Sequence, residues 1–224
     1  MDPHQESVLR AGAQALQVAL DDGAIDRLLR YADLLIKWNQ TYNLTAIRSP
    51  DDIITHHVLD SLAVAAPLRK LTSAIHNPRL LDVGSGAGLP GVMLAIACPK
   101  FRVTCIDAVQ KKTNFLQHVI GALALANLSA RHERIEEVTD PFDVIAARAF
   151  ASLAQFTAQS RGALAANGIW CAMKGKYPND EIAALGTSVQ VFHVEQLNVP
   201  GLNAERCLIC MRPAGTLATF PASH

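Results

Sequence analysis

The stretch Asp82–Gly91 holds the residue types in this chain that point most directly to chemistry. Glycines stand at Gly84, Gly86 and Gly88, directly after a short apolar run. Glycine lets a backbone turn tightly, with φ > 0 where needed, and lets it approach a ligand without a Cβ in the way. We expect the helix that begins near Leu89 to aim free N–H groups at that ligand. The stretch therefore predicts a loop that binds a nucleotide-type cofactor.

Two acidic residues bear on which cofactor the loop binds. Asp107 ends the next predicted strand, about twenty residues on, where a ribose diol is held. That placement suits NAD and S-adenosylmethionine equally, although the dinucleotide pattern fits only loosely, as Gly86–Gly91. Asp82 favours S-adenosylmethionine, because a carboxylate beside the loop repels a pyrophosphate but attracts the cationic amino-acid end of S-adenosylmethionine.

Four separated motifs, in the order in which they occur along the chain, resemble one known family. They are the glycine loop, the segments Lys37–Arg48 and His57–Leu62, and the run Arg-Ala-Phe-Ala that begins at Arg148. Together they are similar to the bacterial ribosomal RNA small-subunit methyltransferase G family, historically called glucose-inhibited division protein B. The resemblance covers about Asp26 to Arg212. It implies S-adenosylmethionine-dependent methylation of guanine N7 in small-subunit (16S) ribosomal RNA, with that RNA or the small subunit as partner.

The loop pattern and the resemblance together give the predicted site residues. In the resembling family, the residues at Ile135 and Glu136 bind the cofactor and the residue at Arg148 contacts it. The predicted cofactor-binding set is Asp82, Gly84, Ser85, Gly86, Gly88, Leu89, Asp107, Ile135, Glu136 and Arg148. The predicted catalytic set is Arg148, Asn43 and Lys174, with Lys174 at the end of the fifth strand, where it could pair with an RNA phosphate.

Several of these residues also have a purely structural interpretation. A charge in the small-residue run around Arg148 requires a carboxylate, a phosphate or the cofactor as partner, and the alternative is a purely structural salt bridge, for instance to Asp143. Trp38 and Tyr42 are each expected either to stack on a base or to pack in the core. His56 stands where the family often has arginine, which weakens any phosphate contact there and makes it pH-dependent. For His57 a structural role is expected.

The end of the fourth strand bears on the type of reaction. It carries neither the Asn or Asp followed by prolines that is typical of amine methylation, nor a cysteine nucleophile for a pyrimidine carbon. Guanine N7 attacks with its lone pair and needs no prior deprotonation. The sequence is therefore consistent with a reaction that depends on alignment, without a general base.

Composition sets broad limits on the class of protein. The chain has 224 residues, a formal net charge of zero and no apolar run long enough to span a bilayer. We expect a cytoplasmic monomer with no metal. In a strand, Cys207 and Cys210 of the C-x-x-C sequence point to opposite faces and cannot share a metal ion. Any RNA contact needs locally concentrated positive charge, and the candidates are Arg27, Arg30, Lys37, Arg48, Lys111, Lys112, Lys174 and Lys176.

Hydrophobic periodicity predicts the architecture. Helical patterns come first, with a break at Asp22–Gly23 and a third helix from Pro50 to Leu62; short β-rich runs and helices then alternate from Arg79. The fold class is α/β, Rossmann-like, with seven strands, and the resemblance places the last strand antiparallel. We expect a helical extension at 1–66, a methyltransferase domain at 67–214 and a disordered tail at 215–224.

Other functions fit parts of this pattern. A small-molecule O- or N-methyltransferase uses the same fold, because fold does not determine substrate. A non-catalytic regulator that binds S-adenosylmethionine is a second alternative, and a dinucleotide oxidoreductase is a third. The Trp38–Arg48 motif separates the RNA enzyme from the small-molecule enzyme, and methyl transfer separates both from the regulator.

Overall fold

The computed structural model describes residues 2–150 and 152–216. Its centre is one seven-stranded sheet in the order β3-β2-β1-β4-β5-β7-β6. β7 is antiparallel to β5 and to β6, and the remaining neighbours pair in parallel. This confirms the predicted mostly parallel sheet with its last strand antiparallel. The strands are β1 Arg79–Val83, β2 Arg102–Asp107, β3 Leu128–His132, β4 Phe142–Arg148, β5 Leu164–Lys174, β6 Val189–Gln196 and β7 Cys207–Pro213.

Helices cover both faces of the sheet. A π-helical segment, Ile54–Leu59, joins α3 to α4, and such segments are often found at functional sites. Two 3₁₀ turns lie at Ile135–Glu137 and Arg161–Ala163. The α-helices are α1 Pro3–Ala15, α2 Asp22–Tyr42, α3 Pro50–Ile53, α4 Asp60–Leu62, α5 Ala65–Leu71, α6 Gly91–Ala97, α7 Gln110–Leu123, α8 Leu153–Gln159 and α9 Asn179–Ala183.

Capping residues determine where the first helices begin. The Asp21 side chain accepts a hydrogen bond from Ala24 N at 2.6 Å, and Ser49 accepts one from Asp52 N at 3.4 Å. The predicted break at Asp22–Gly23 is therefore wrong, because these two residues form the first turn of α2. The chain instead leaves the helical conformation between the end of α1 and Asp21.

The strands alternate their side chains between two cores. On β7, Cys210 belongs to the larger core, beneath the helices that precede and follow β1, while Cys207 belongs to the smaller core beneath α8. This confirms that the two cysteines point to opposite faces. Because the parallel strands share one direction, the carboxyl ends of β1, β2, β4 and β5 lie along one edge of the sheet, and the site is built there.

The helices before β1 pack into the same core as the sheet. Tyr31 on α2 is fully buried, and its hydroxyl donates to Ala87 O at 2.7 Å, inside the glycine loop. Helix α2 thus supports the loop from behind. The predicted division at residue 66 stays a prediction, and residues 217–224 of the predicted tail lie outside the described residues. Among the residues described, no helix is both long enough and apolar enough to cross a membrane.

Candidate active site

The predicted cofactor loop runs from the end of β1 to the start of α6. Gly84, Gly86 and Gly88 all have positive φ, at 67°, 59° and 90°. A Cβ at Gly88 would overlap Val92 and Leu116, whereas a Cβ at Gly84 would meet nothing within 4 Å. The loop therefore needs glycine at both positions for its backbone, and at Gly84 it borders open space.

Backbone N–H groups around the start of α6 are already used within the protein. Leu89 N donates to Ser85 O at 3.0 Å, and Gly91 N donates to Asp82 Oδ2 at 2.9 Å. The Ser85 hydroxyl donates to Asp82 O at 2.8 Å. The expectation that this helix aims free N–H groups at a ligand is wrong for Leu89 and Gly91, because the loop satisfies its own donors.

Asp82 is the most unusual carboxylate in the described part of the chain. It is fully buried, and its Oδ1 atom has no hydrogen-bond partner there. Burial raises the pKa of Asp82 to about 6, against the lowering effects of the Gly91 N–H bond and the Arg148 charge. An orphaned carboxylate oxygen at the end of β1 fits a ligand that brings a cationic group.

Asp107 lies at the end of β2, next to this loop. Its Oδ2 accepts from Gly86 N at 2.9 Å, its Oδ1 accepts from Val109 N at 2.9 Å, and Lys112 Nζ lies 3.5 Å from Oδ2. The carboxylate therefore ties the glycine loop to the turn after β2. Since each carboxylate oxygen has two lone pairs, Asp107 retains capacity for a further donor.

The two residues predicted after β3 lie in the 3₁₀ turn Ile135–Glu137. Ile135 is buried and Glu136 is exposed. An apolar side chain beside an accessible carboxylate is the combination expected to flank a ring and accept from an amino group. The turn follows β3, the edge strand of the sheet, which pairs with β2.

Arg148 is the last residue of β4, and a segment distant in sequence contains its partners. Its Nη1 donates to Asp60 Oδ2 at 3.2 Å and to His56 O at 3.3 Å. The other oxygen of Asp60 accepts from Arg206 Nε at 2.9 Å. Asp143, the alternative partner considered from sequence, lies at the other end of β4 and accepts from Arg79 N. Asp143 as the partner is therefore wrong, whereas a salt bridge within the protein is present, to Asp60.

Asp60 is a site residue that sequence reasoning missed. It is 3% exposed, and its carboxylate bridges the two guanidinium groups of Arg148 and Arg206. Asp60 is part of the His57–Leu62 motif, but nothing in the sequence pattern indicated that it pairs with an arginine 88 residues away. The bridge joins the start of α4 to the last residue of β4 and to the residue that precedes β7.

His57 is held neutral between the same segment and the chain after α2. Its Nε2 lies 2.7 Å from Thr45 Oγ1, and its Nδ1 lies 3.1 Å from His56 O and 3.4 Å from Arg148 Nη2. Burial, and then the Arg148 charge, lower the pKa of His57 to about 4. The contacts suit a neutral ring in either tautomer, which agrees with the expected structural role.

The side chain of Asn39, a second residue that sequence reasoning missed, forms hydrogen bonds with the backbone of the connection between α2 and α3. Asn39 Oδ1 accepts from Thr45 N at 2.9 Å, and its Nδ2 donates to Ile47 O at 3.2 Å. The predicted catalytic residue Asn43 is exposed, and its Oδ1 accepts from Arg48 Nη2 at 3.1 Å. The structure thus places Asn43 at the surface of this connection.

Trp38 is used in packing rather than left open to a base. Its ring centroid lies 5.5 Å from that of Phe115 and 5.4 Å from that of His118, both on α7. Tyr42 stacks on the outer side of Trp38 at 5.0 Å and is 41% exposed. The core interpretation of Trp38 fits this geometry, and Tyr42 is the aromatic ring that solvent reaches.

A cleft of about 480 Å³ opens at the carboxyl ends of β4 and β5. Arg148 and Lys174, both predicted from sequence, line it together with Asp60, His57 and Arg206. Asn43 is not among the residues that line it. The structure therefore brings together two of the three predicted catalytic residues and adds three that were outside the predicted site, Asp60, His57 and Arg206.

Comparison with known proteins identifies the family. The family model for rRNA small subunit methyltransferase G matches residues 24–210. The chain is 56% identical over 215 residues to the ribosomal RNA small subunit methyltransferase G of Acidovorax ebreus (strain TPSY), covering 93% of this chain and 95% of the relative. It is 56% identical over 210 residues to that of Polaromonas sp. (strain JS666 / ATCC BAA-500), covering 92% and 93%.

Solved structures of lower sequence identity share the fold. A SAM-dependent methyltransferase from Aquifex aeolicus superposes with a TM-score of 0.54 at 16% identity, covering 75% of this chain and 96% of that one. A ribosomal protein L11 methylase from Lactobacillus delbrueckii subsp. bulgaricus superposes with a TM-score of 0.52 at 14% identity, covering 68% and 78%. These confirm the Rossmann-like methyltransferase fold, and the family match confirms the resemblance seen in the motifs: the chain belongs to the rRNA small subunit methyltransferase G family.

Proposed function

We propose that this enzyme transfers a methyl group from S-adenosylmethionine to N7 of a guanine in 16S ribosomal RNA, and that it does so without a general base. The observation that carries the proposal is the cleft at the ends of β4 and β5, beside the glycine loop. The two buried titratable groups of the cleft are already engaged: Asp60 bridges two arginines, and His57 is neutral and bonded to Thr45. Guanine N7 is a nucleophile that needs none of them to remove a proton.

The residues at the end of β1 and β2 fit S-adenosylmethionine. Asp82 offers an orphaned buried oxygen to a cationic amino group, and Gly84 borders open space where a ligand can approach the backbone. Asp107 has lone pairs left for ribose hydroxyls, and Ile135 and Glu136 are proposed to flank and bond the adenine. When bound, S-adenosylmethionine supplies an electrophilic methyl group on a sulfonium sulfur.

Arg148 is proposed to link the cofactor site to the substrate site. It lies at the end of β4, between the glycine loop on β1 and the cleft, and its charge lowers the pKa of the loop residue Asp82. Guanine presents O6 and N7 as neighbouring acceptors. An arginine N–H that bonds to O6 orients the base and leaves the N7 lone pair free, so that the barrier falls mainly through alignment.

Exposed basic side chains near the cleft are proposed to contact RNA phosphates. Arg48 and Lys37 lie on the α2 side, and Lys176 follows β5; all three are exposed. Because the formal net charge is zero, binding depends on such local clusters and weakens steeply with salt. We also propose that Asn43 takes part in the same RNA contact, and that the enzyme is a cytoplasmic monomer.

The direct test is transfer of labelled methyl from S-adenosylmethionine to small ribosomal subunits and to protein-free 16S RNA. We expect the label in 7-methylguanosine with the wild-type enzyme and its loss in Arg148→Ala. Tight cofactor binding without transfer to either RNA would instead favour the small-molecule enzyme or the regulator.

A further inference from the structure

Ala149 and Phe150, which form the described part of the loop that follows β4, border the cleft and are held by an acidic residue from another element, acting through a lysine. Ala149 and Phe150 line the cleft directly after Arg148. Ala149 has φ of 60°, a left-handed conformation that an alanine adopts only when its surroundings impose it. A bond that fixes this loop therefore also fixes one wall of the substrate site.

Lys174 provides one such bond from the end of β5. Its ammonium group lies 3.4 Å from Phe150 O, and it lies 3.0 Å and 2.8 Å from the two carboxylate oxygens of Glu181. The Lys174 side chain is only 13% exposed. The lysine is thus not a free cation waiting for a phosphate, because Glu181 neutralises it at short distance.

Glu181 itself bonds to a second point beyond the loop. Its Oε2 accepts from Leu153 N at 2.8 Å, at the first residue of α8. Glu181 comes from α9, which contributes no buried residue to the fold. The Glu181 carboxylate therefore binds both Lys174, which contacts Phe150 O, and the first backbone N–H of α8.

We propose that Glu181 is a positioning residue for methyl transfer: through Lys174 and Leu153 N it holds the loop after β4 in the conformation that completes the substrate cleft. This inference rests on the proposed function. It assigns Lys174 a positioning role, in place of a direct phosphate contact. The loop carries the wall next to Arg148, so that loosening it misplaces the base relative to the methyl group.

The test compares Glu181→Gln with Asp180→Asn, a matched change at an exposed carboxylate on the same helix. Steady-state methyl transfer to small ribosomal subunits gives kcat and KM. Calorimetry with S-adenosylhomocysteine gives cofactor affinity, and hydrogen exchange reports on the amides of residues 152–157. Lys174→Met and the double variant complete the set.

We expect Glu181→Gln to lower kcat about tenfold, because small misplacements at a reacting centre cost that much or more. KM and the Kd for S-adenosylhomocysteine should stay within about twofold, since Glu181 is not among the residues that line the cleft. Lys174→Met should match it and the double variant should lose no more, because the pair acts as one unit. Amides at the start of α8 should exchange faster in Glu181→Gln and not in Asp180→Asn.

Three results would overturn the proposal. Faster exchange with unchanged kcat would make Glu181 a structural anchor only. A lower KM in Glu181→Gln would mean that Glu181 restrains a lysine that binds substrate. Unchanged exchange would remove the anchoring itself. If the wild-type enzyme transferred no methyl to RNA, the proposed function would fail, while the exchange data would still decide whether Glu181 holds the loop.

Discussion

Arg148 Nη1 lies 3.2 Å from Asp60 Oδ2, and this contact joins the last residue of β4 to the first residue of α4, among the N-terminal helices. Asp60 is almost completely buried, so its charge is stable only because guanidinium groups meet both of its oxygens. The contact therefore orients Arg148 at the cleft and also closes the helical extension onto the sheet. Loss of Asp60 should affect both stability and activity.

We expect Asp60→Asn to destabilise the protein by about 1–3 kcal/mol, because two partly buried arginines lose their shared counter-charge. Methyl transfer should fall by about 10²-fold, since Arg148 is no longer held in one orientation. Urea unfolding and the labelled-methyl assay measure the two effects. Asp143→Asn is the control, because Asp143 serves the opposite end of β4, and its activity should stay close to that of the wild type at equal stability.

Two loop glycines should separate folding from cofactor binding. Gly84→Ala places a Cβ in open space at φ of 67°, so it should cost about 1 kcal/mol of stability while weakening cofactor binding at least tenfold. Gly88→Ala drives a Cβ into Val92 and Leu116 and should destabilise the fold itself by more than that.

Gly121→Ala is the matched control for this glycine pair. It lies within α7, where a Cβ meets nothing, and it should stabilise the protein by about 0.5–1 kcal/mol. Thermal unfolding and calorimetry with S-adenosylhomocysteine measure all three variants. If Gly84→Ala and Gly88→Ala lost equal stability, Gly84 would not face the open space in which we place the cofactor.

Cofactor binding should depend on the ionisation of Asp82. A cationic amino group beside Asp82 Oδ1 binds the ionised form, and the pKa of Asp82 in the free protein is about 6. The affinity for S-adenosylhomocysteine should therefore fall about tenfold between pH 7 and pH 5. Titration calorimetry across this range should show that fall in the wild type, and a flat and weaker profile in Asp82→Asn. A flat wild-type profile would place the amino group elsewhere.

Local sequence signals predicted the framework of the site. The glycines of the loop, Asp107 and Arg148 all follow β-rich runs, and strand ends of a parallel sheet meet at one edge, so their proximity followed from topology. Cys207 and Cys210 fell on opposite faces for the same reason, the twofold period of a strand. These features depend on short stretches of chain.

The partners of the site residues could not be predicted in this way. Arg148 reaches Asp60 across 88 residues, and Arg206 reaches it across 146. Which face of Ile54–Leu59 meets the sheet depends on how α1 and α2 pack, and no spacing encodes that. The prediction of free N–H groups near Leu89 was wrong for a related reason. Ser85 O and the Asp82 carboxylate accept hydrogen bonds from Leu89 N and Gly91 N, and they come close enough to do so only in the folded loop.

His57 and Asp82 should give opposite contributions to the pH dependence of stability. The pKa of His57 falls from 6.5 to about 4 on folding, so the unfolded chain binds more protons between these values, and its contribution to stability is lost as pH falls. The pKa of Asp82 rises from 3.8 to about 6, so its contribution grows as pH falls through 6. Between pH 7 and pH 5 we expect a loss of about 2 kcal/mol from His57 and a gain of about 1 kcal/mol from Asp82.

Single variants expose each contribution. His57→Gln should remove the loss of unfolding free energy that His57 causes, so that between pH 7 and pH 5 this variant gains about 2 kcal/mol relative to the wild type. Asp82→Asn should remove the gain that Asp82 causes, so that this variant loses about 1 kcal/mol relative to the wild type over the same interval. Urea unfolding at pH 5, 6 and 7 in the absence of cofactor measures both. His56→Gln is the control, because His56 is the adjacent histidine and lies partly exposed on the same segment. A His57→Gln profile parallel to that of the wild type would mean that His57 takes up a proton as readily in the folded protein as in the unfolded chain, which is incompatible with a ring held neutral between Thr45 and Arg148.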